Sequence, residues 1–295
     1  MTPSMWRGTT RSRMRAHGTK SRFSRKLAST PSTSSWASVW HWTVRSTGAY
    51  PESGQACSGF LIDWDGFRVV LDLGYAPLPR LLAHVPDADA HAVVITHEHP
   101  DHCIDLHGLF RIRRYGPATA GQVALYCPAG VLARLEGLEP DADLRSVFDV
   151  HDLPGSYQLG PFALSCRELP HIVPNVGVRL STQTAAIAYT GDTGPDPLLA
   201  ELGRNADLYI VDASDRPGES DQPVRNLLTA AEAGQWAAKA GAARLLLTHF
   251  WPGNDRQAAI LAAQRAFGGE VFAAEQDLQI SLATDHARST QQRDR

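Results

Sequence analysis

The sequence lacks the long apolar runs and paired cysteines that mark whole classes of protein. No stretch of about 18 consecutive apolar residues occurs, so we expect no transmembrane helix and no membrane partner. The four cysteines are far apart and form no CxxC pair; they are Cys57, Cys103, Cys127 and Cys166. This spacing argues against a disulfide framework and a cysteine-rich zinc site, and it favours a reducing, cytoplasmic location.

Acidic residues are missing from the start of the chain. Residues 1–45 hold nine Lys or Arg and no Asp or Glu, whereas the remainder holds 19 basic and 31 acidic residues, a balance of −12. Such a surface repels a long polyanion, because proteins bind nucleic acid mainly by neutralising phosphates with Lys and Arg. We therefore expect a small anionic substrate as the partner and no long nucleic acid. The sequence is also compatible with a homodimer.

Residues 1–38 also lack periodic apolar spacing and are rich in Ser, Thr and Arg. Such a segment cannot bury enough apolar surface to offset the chain entropy lost on folding, so we expect a disordered basic extension. A secretory signal is not indicated, because no apolar stretch follows the basic start. An organelle transit peptide and a start codon set too far upstream remain as alternatives. Residues 39–283 are expected to form one domain, followed by a polar tail at 284–295.

Short apolar runs recur from Val39 onward and are punctuated by Gly, Pro and Asp. The predicted strands are 39–44, 57–63, 68–73, 92–96, 123–127, 162–169, 185–189, 208–211, 244–248 and 279–282. The predicted helices are 77–84, 106–115, 131–137, 197–202, 229–240 and 256–267, with Gly203, Gly241 and Gly268 as C-caps. Strands dominate first and then alternate with helices, which favours an α/β or α+β sandwich of sheets covered by helices.

The densest group of polar side chains lies at residues 96–102, THEHPDH, between a predicted buried strand and a predicted helix. His97 and His99 are two residues apart and can point the same way from an extended segment. Asp101 and His102 follow a turn at Pro100 and can face a second metal. Three histidines and an aspartate this close together indicate metal ligands, because burying so many polar side chains without a bound partner would cost free energy. The helical motif HExxH does not fit, since Asp101 stands where that motif needs histidine.

The pattern HxHxDH is the signature of the metallo-β-lactamase fold, and this chain resembles that family in further segments that occur in the same order. They are residues 48–59, LDLG at 71–74, LPHIVPNVGVR at 169–179, YTGDT at 189–193 and LLLTHFW at 245–251. The resemblance covers roughly residues 39–283. It implies an αββα sandwich, an α+β fold, that forms a single hydrolase domain.

The same resemblance implies two metal sites that share one carboxylate. The ligands would be His97, His99 and His171 for the first metal, Asp101, His102 and His249 for the second, and Asp192 as the bridge. Asp101 and Asp192 are the expected catalytic residues, and Asp72 is expected to orient a histidine ligand. Imidazole and carboxylate ligands suit two Zn²⁺ ions, with Mn²⁺ or Fe²⁺ as alternatives. Such a pair would attack the substrate through a metal-bound hydroxide.

Other polar residues give weaker signals. His107 and His151 are expected to have surface or capping roles, and Cys103 to pack in the core as a small apolar residue. A set of arginines could either meet a phosphate or form a solvated helix face; these are Arg111, Arg113 and Arg114.

Within the family, the chain is similar to the ribonuclease Z-like and cyclic-nucleotide phosphodiesterase-like branch, of which YTGDT is typical. The resemblance implies hydrolysis of a small phosphodiester, with a cyclic nucleotide as one option. One departure is Leu227, which stands where phosphodiesterases of this branch carry a histidine. Two alternatives stay open: a hydrolase of a lactone or thioester, and a metal-binding protein with little catalysis.

Overall fold

The computed structural model describes residues 39–44, 48–85, 88–116, 121–216 and 224–283. The extension expected at 1–38 and the tail expected at 284–295 lie outside the described residues. The strands are β1 Val39–Val44, β2 Gly59–Trp64, β3 Phe67–Leu73, β4 Ala92–Val94, β5 Val123–Cys127, β6 Phe148–Asp152, β7 Ser156–Leu159, β8 Phe162–Leu169, β9 Asn175–Ser181, β10 Ala186–Tyr189, β11 Leu208–Asp212, β12 Arg244–Thr248, β13 Glu270–Ala273 and β14 Gln279–Ala283.

The α-helices of the described segments are α1 Pro77–His84, α2 Pro100–Cys103, α3 Asp105–Tyr115, α4 Ala129–Glu136, α5 Leu198–Leu202, α6 Ala230–Ala240 and α7 Arg256–Phe267, and a 3₁₀ turn spans Leu144–Ser146. None of these helices is long and apolar enough to cross a membrane. The helix ends follow their sequence signals. Thr229 and Glu232 form a capping box at the start of α6, and Gly241 ends that helix with φ 66°.

The strands form two seven-stranded mixed sheets. Their orders are β14-β1-β2-β3-β4-β5-β6 and β13-β12-β11-β10-β9-β8-β7. One apolar core lies between the sheets, and two further cores join their outer faces to helices. The expected αββα sandwich, an α+β fold, is confirmed.

Alternation along single strands builds this three-layered core. In β12, Leu246 belongs to the core between the sheets, whereas Leu245 and Leu247 belong to the core under the helices. In the other sheet, Ile62 faces the inner core and Leu61 faces outward. Because successive strand side chains point to opposite faces, both faces of each sheet must be apolar for such a sandwich to form.

The direction of the strands brings their ends to one edge. Strands β3 to β6 are mutually parallel, and β10 to β13 are mutually parallel in the other sheet. β8 pairs antiparallel with β9, which pairs antiparallel with β10, so β8 and β10 end on the same side. The loops after β4, β8, β10 and β12 carry the predicted ligands. Ligand sites in sheets of this kind commonly lie beyond the carboxyl ends of strands.

Four strands were not predicted from the sequence: β6, β7, β9 and β13. The other ten strands agree with the predicted runs within two residues at each end, and all six predicted helices are present. The turn expected at Pro100 is a short helix, α2, that starts at this proline and presents Asp101 and His102 within one turn. Pro fits the first position of a helix because the missing N–H would have no partner there.

Candidate metal centre

The seven predicted ligands converge at the edge where the strands end. They fall into two groups in which the possible ligand atoms all lie within 4.8 Å of one another. One group is His97, His99, His171 and Asp192, and the other is Asp101, His102, Asp192 and His249. Asp192 belongs to both groups, as the sequence comparison with the metallo-β-lactamase fold implies.

In the first group, three imidazole nitrogens face a common point. His97 Nε2 lies 3.1 Å from His99 Nδ1, and His171 Nε2 lies 3.2 Å from the same atom. Two nitrogen ligands of one tetrahedral zinc ion, each about 2.0–2.1 Å from the metal, are separated by about 3.3 Å. The nitrogen spacing therefore fits a common divalent ion.

In the second group, two imidazoles and two carboxylates converge. His249 Nε2 lies 3.2 Å from Asp101 Oδ2 and 3.2 Å from Asp192 Oδ2. His102 Nε2 lies 3.3 Å from Asp192 Oδ1 and 3.6 Å from Asp101 Oδ2. These nitrogen–oxygen separations match the spacing expected of ligands around one ion.

The shared carboxylate of Asp192 is divided between the groups. Its Oδ1 faces His102, whereas its Oδ2 lies 3.8 Å from both His97 Nε2 and His171 Nε2. The residue is only 3% exposed, and Oδ1 has no hydrogen-bond partner. A buried carboxylate oxygen without a hydrogen bond is costly unless a cation compensates it. The orphaned oxygen is thus a second observation that fits a bound metal.

The outer nitrogens of His97 and His102 contact other side chains, which fixes where their inner nitrogens point. Asp72 is fully buried and accepts hydrogen bonds from His102 Nδ1 at 2.7 Å, Thr96 Oγ1 at 2.9 Å and Tyr189 Oη at 2.8 Å. Thr96 Oγ1 in turn lies 3.0 Å from His97 Nδ1. The predicted contact of Asp72 with a histidine is therefore present. Asp72 contacts His102 of the second group directly and is linked to His97 of the first group through Thr96. Such outer partners set the tautomer and orientation of ligating imidazoles.

Two more histidines are oriented by groups that sequence reasoning missed. His249 Nδ1 lies 2.6 Å from Ser214 Oγ, which also contacts the fully buried Asp212. His171 Nδ1 donates to the backbone carbonyl of Asn226 at 3.0 Å. Asp212 ends a buried run, LYIVD, at residues 208–212, and this polar residue after four apolar ones was the available signal. No sequence signal indicates a backbone carbonyl as the partner of His171.

Electrostatics inside the cluster separate the histidines into two kinds. Burial lowers the pKa of His97 and of His99, and the neighbouring imidazoles lower both further. Burial also opposes the charge of His249, but Asp192 and Asp101 outweigh burial and raise its pKa to about 10. For Asp192, burial disfavours ionisation, yet His249 and His102 hold its pKa well below the usual range. The ionised carboxylates therefore need positive charge beside them, which a metal cation can supply.

Two residues of the site adopt left-handed backbone conformations, as do five other non-glycine residues of the described segments. His249 has φ 62° and Asp72 has φ 54°, left-handed values that are unfavourable for side chains other than glycine. Gly74 packs so closely beneath the motif loop that an added Cβ would overlap the carbonyl oxygen of Asp101. Strain of this kind persists where the surroundings over-determine a functional geometry.

The cluster opens into a pocket of about 360 Å³. Its floor includes His99, Asp101, His171, Asp192 and His249, and its walls include Ala49, Ile172, Asp215, Val224, Arg225, Asn226, Leu227 and Trp251. A neighbouring cavity of about 480 Å³ shares Asp215 but contains none of the seven predicted ligands. A third cavity of about 460 Å³ contains His171 alone among the predicted ligands. The pocket of about 360 Å³ is therefore the one of the three that contacts both ligand groups.

A family model described as a beta-lactamase superfamily domain matches residues 58–250. The chain belongs to this superfamily. The matched range contains all seven predicted ligands together with Asp72, and the fold is the metallo-β-lactamase fold expected from the sequence.

Relatives within the superfamily agree with this assignment. The uncharacterized protein Rv1339 of Mycobacterium tuberculosis is 37% identical over 215 residues, which cover 70% of this chain and 78% of the relative. The protein named probable metallo-hydrolase YhfI, from Bacillus subtilis, is 29% identical over 238 residues, 76% of this chain and 92% of YhfI. Its crystal structure gives a TM-score of 0.74 at 25% identity, covering 83% of this chain and all of that one. The chain is thus a metallo-β-lactamase-fold hydrolase.

Ribonuclease Z of Kineococcus radiotolerans is a further relative, 29% identical over 254 residues that cover 69% of this chain and 80% of the enzyme. This similarity confirms the ribonuclease Z-like character that YTGDT indicated. The superfamily match and the ligand cluster together support a metal-dependent hydrolase.

The weaker sequence signals lie outside the pocket of this superfamily member. His107 Nε2 lies 3.0 Å from Glu139 Oε1, and His151 stacks on Tyr126 with ring centroids 4.6 Å apart. Cys103 is buried in the core. Arg111 pairs with Glu139, Arg113 donates to backbone carbonyls, and Arg114 lies over Tyr115. In contrast, Leu227, which stands where the resembled phosphodiesterases carry a histidine, lines the pocket.

Proposed function

We propose that this chain is a dinuclear-metal hydrolase of small phosphodiesters, with a cyclic nucleotide as a candidate substrate. The observation that carries the proposal is the position of Asp192 between two groups of ligand atoms. Its Oδ1 lies 3.3 Å from His102 Nε2, and its Oδ2 lies 3.2 Å from His249 Nε2 and 3.8 Å from His97 Nε2. A carboxylate divided in this way can neutralise charge on two cations at once.

The residues present fit two divalent ions. The first would be held by His97, His99 and His171, the second by Asp101, His102 and His249, and both by Asp192. Nitrogen and oxygen ligands without thiolate favour Zn²⁺, with Mn²⁺ or Fe²⁺ as alternatives. When bound, the ions would activate water as the nucleophile and polarise the phosphoryl group.

The protein side chains supply orientation and proton transfer. Asp101 faces the pocket, and its carboxylate can accept the proton that the attacking water gives up. Asp72 and Thr96 keep the imidazoles of His102 and His97 in fixed orientations, so little reorganisation is needed when the substrate arrives. Leu227 offers no proton to a leaving oxygen. The proposal therefore favours substrates whose leaving group departs readily as an anion.

The relatives and the pocket support a phosphodiester of small size. Ribonuclease Z, a relative, acts by its name on RNA, whose backbone is a chain of phosphodiesters. A pocket of about 360 Å³ lies at the small-molecule end of the usual range of ligand sites. A lactone or thioester is the second candidate, because Ile172, Val224 and Leu227 make part of the wall apolar.

The test is a substrate panel on metal-replete protein with Asp192→Asn as the matched control, since this change removes charge and keeps shape. We expect bis-p-nitrophenyl phosphate to be hydrolysed by the wild type and not by the variant. Turnover of a lactone or thioester without turnover of any phosphodiester would contradict the proposal. A protein that binds two metals but hydrolyses nothing in the panel would support a metal-binding role instead.

A further inference from the structure

The pocket over the metal centre offers little positive charge of its own for a phosphodiester. Among the lining residues that the structure describes, Arg225 is the one Lys or Arg, and its guanidinium pairs with Glu232 and with Asp215 Oδ2 at 3.2 Å. Asp101, Asp192 and Asp215 add negative charge to the same walls. Binding energy for the non-reacting part of the substrate must therefore come from contacts other than ion pairing.

An aromatic corner supplies such contacts on the side of His249. Trp251 lines the pocket half-buried, and its ring lies edge-on to the His249 ring with centroids 6.3 Å apart. Tyr50 is 46% exposed, and its ring centroid lies 6.0 Å from that of Trp251 at an interplanar angle of 51°. The two rings thus form a tilted corner at the edge of the pocket.

The backbone holds this corner in place. Ala49 N donates to Phe250 O at 3.3 Å, which ties the segment of Tyr50 to the segment of Trp251. The turn that follows Trp251 closes with a hydrogen bond from Asn254 N to Trp251 O at 3.0 Å, and Arg216 donates to Asn254 Oδ1 at 2.8 Å. Stacking surfaces that are fixed before binding lose little conformational entropy when a ligand arrives.

Exposed aliphatic side chains line the same pocket near His171. Ile172 directly follows His171 and is 72% exposed, and Val224 is 75% exposed. Large apolar side chains left open around a polar site commonly mark the contact area of a ligand. The pocket thus combines a metal-binding floor with apolar and aromatic walls.

We propose that Trp251, supported by Tyr50, is the specificity-determining residue of this pocket and stacks on a planar aromatic group of the substrate, a nucleobase. This inference rests on the proposed phosphodiesterase function and adds which phosphodiesters are selected. A planar base suits this aromatic corner because every nucleobase has a flat face that can stack on an aromatic ring. Such stacking needs no charged side chain. A flexible alkyl group would gain apolar contact but no stacking.

The test compares two phosphate probes that differ by the base, adenosine 5′-monophosphate and ribose 5-phosphate. Their dissociation constants are measured by calorimetry on metal-replete protein, which requires no turnover. We expect the nucleotide to bind about 5- to 150-fold more tightly, the range that one stacked base supplies. Trp251→Phe should keep most of this ratio, and Trp251→Leu, which keeps apolar volume without a ring, should bring it close to one.

Tyr115→Ala is the control, because Tyr115 is an exposed aromatic residue on α3 outside the pocket. Equal affinity for the two probes in the wild type, or an unchanged ratio in Trp251→Leu, would overturn the inference even if phosphodiesters are hydrolysed. A base-dependent ratio that Trp251→Leu abolishes would uphold it even if no phosphodiester in the panel turned over, so its failure is distinguishable from failure of the proposed function.

Discussion

Tyr189 Oη donates a hydrogen bond to Asp72 Oδ2 at 2.8 Å, and this bond joins the two sheets beneath the metal centre. Tyr189 ends β10 in one sheet, and Asp72 lies near the end of β3 in the other. Since Asp72 also holds His102, the tyrosine stabilises the sandwich and the orientation of a predicted ligand together.

We expect Tyr189→Phe to lower the free energy of unfolding by about 1.5–3 kcal/mol, because a buried hydrogen bond to a charged group is lost. Metal affinity should fall by up to about 10-fold, the low end of effects seen when partners of ligating histidines are changed. The control is Tyr209→Phe, since Tyr209 is equally buried but donates to Leu199 O at 2.8 Å. Denaturant unfolding and metal titration check both variants, and equal metal affinity in the two would contradict the expectation.

Asp192→Ala should remove at least one of the two metals expected per chain, because it deletes the carboxylate shared by both ligand groups. Elemental analysis of purified protein should give close to two divalent ions in the wild type and one or fewer in the variant. Hydrolysis should be lost as well. Full metal occupancy in the variant would show that Asp192 is not the bridge.

Leu227 stands where phosphodiesterases of the resembled branch carry a histidine. If that histidine protonates the leaving oxygen, its absence should cost about 10²- to 10⁴-fold in rate, the usual contribution of general acid catalysis. We therefore expect bis-p-nitrophenyl phosphate to be hydrolysed far faster than cyclic AMP, since p-nitrophenolate departs without a proton. Leu227→His should raise kcat/KM selectively for cyclic AMP. Val224→His is the control, because it adds an imidazole to the same pocket at another position.

Equal rates on the two substrates in the wild type would mean that another group supplies the proton. Asn226 lines the pocket and its amide can donate a hydrogen bond to a leaving oxygen, whereas His151 pairs with Asp149 and stacks on Tyr126 outside the pocket. Asn226→Ala would then be the first variant to measure.

Burial raises the pKa of the Cys166 thiol to about 11 from its usual 9.0. A folded-state pKa above the unfolded value contributes stability that is fully present below about pH 9 and lost as pH rises to about 11. The wild type should lose about 1.4 kcal/mol of unfolding free energy per pH unit in this window from this group alone. Cys166→Ala should flatten the slope by about that amount in urea unfolding at pH 8 to 10.5; an unchanged slope would contradict the burial argument.

Deleting residues 1–38 should leave folding and hydrolysis intact. β1 begins at Val39 and pairs with β2 on one side and β14 on the other, so the deletion preserves every strand of the described residues. The melting temperature should change by no more than a few degrees, since about 1 kcal/mol corresponds to roughly 2–4 °C at this domain size. Loss of cellular location without loss of stability would favour the transit-peptide alternative.

Three of the four strands that sequence patterns missed share a physical cause. β6, β7 and β13 are edge strands of their sheets, and edge strands are short and partly polar because one side faces solvent. β6, with the sequence FDVHD, shows the problem, since acidic residues interrupt its apolar pattern. Interior strands such as β5, VALYC, and β12, RLLLT, contain an unbroken apolar run and were predicted with correct ends.

β9 was missed for another reason. It follows two prolines and contains Gly177, both of which indicate loops in a sequence. The structure shows why glycine is needed, since a Cβ there would lie 2.5 Å from a Leu202 side-chain carbon and 2.7 Å from one of Leu169. Packing across layers thus imposed a residue that weakens the local strand signal.

The residues that converge in the cluster were predictable because their types and order match the resembled family, whereas their supports, apart from Asp72, were not. Asp212 and Ser214 act on His249 from more than thirty residues away, a relationship that spacing along one chain does not encode. The proposed stacking role of Trp251 likewise depends on Tyr50, which the fold brings beside it. The sequence indicates which side chains can bind a metal. Only the fold shows which other groups orient those side chains.

The second ligand group joins residues that are far apart in the chain, since Asp101 and His249 are separated by 148 positions. A nascent polypeptide therefore exposes the HxHxDH segment long before His249 leaves the ribosome. In the proposed dinuclear site, the second ligand group would therefore be completed late in biosynthesis, once His249 has been added after β12. Prematurely terminated chains would hold an incomplete ligand set, so full metal loading would report that synthesis has passed His249.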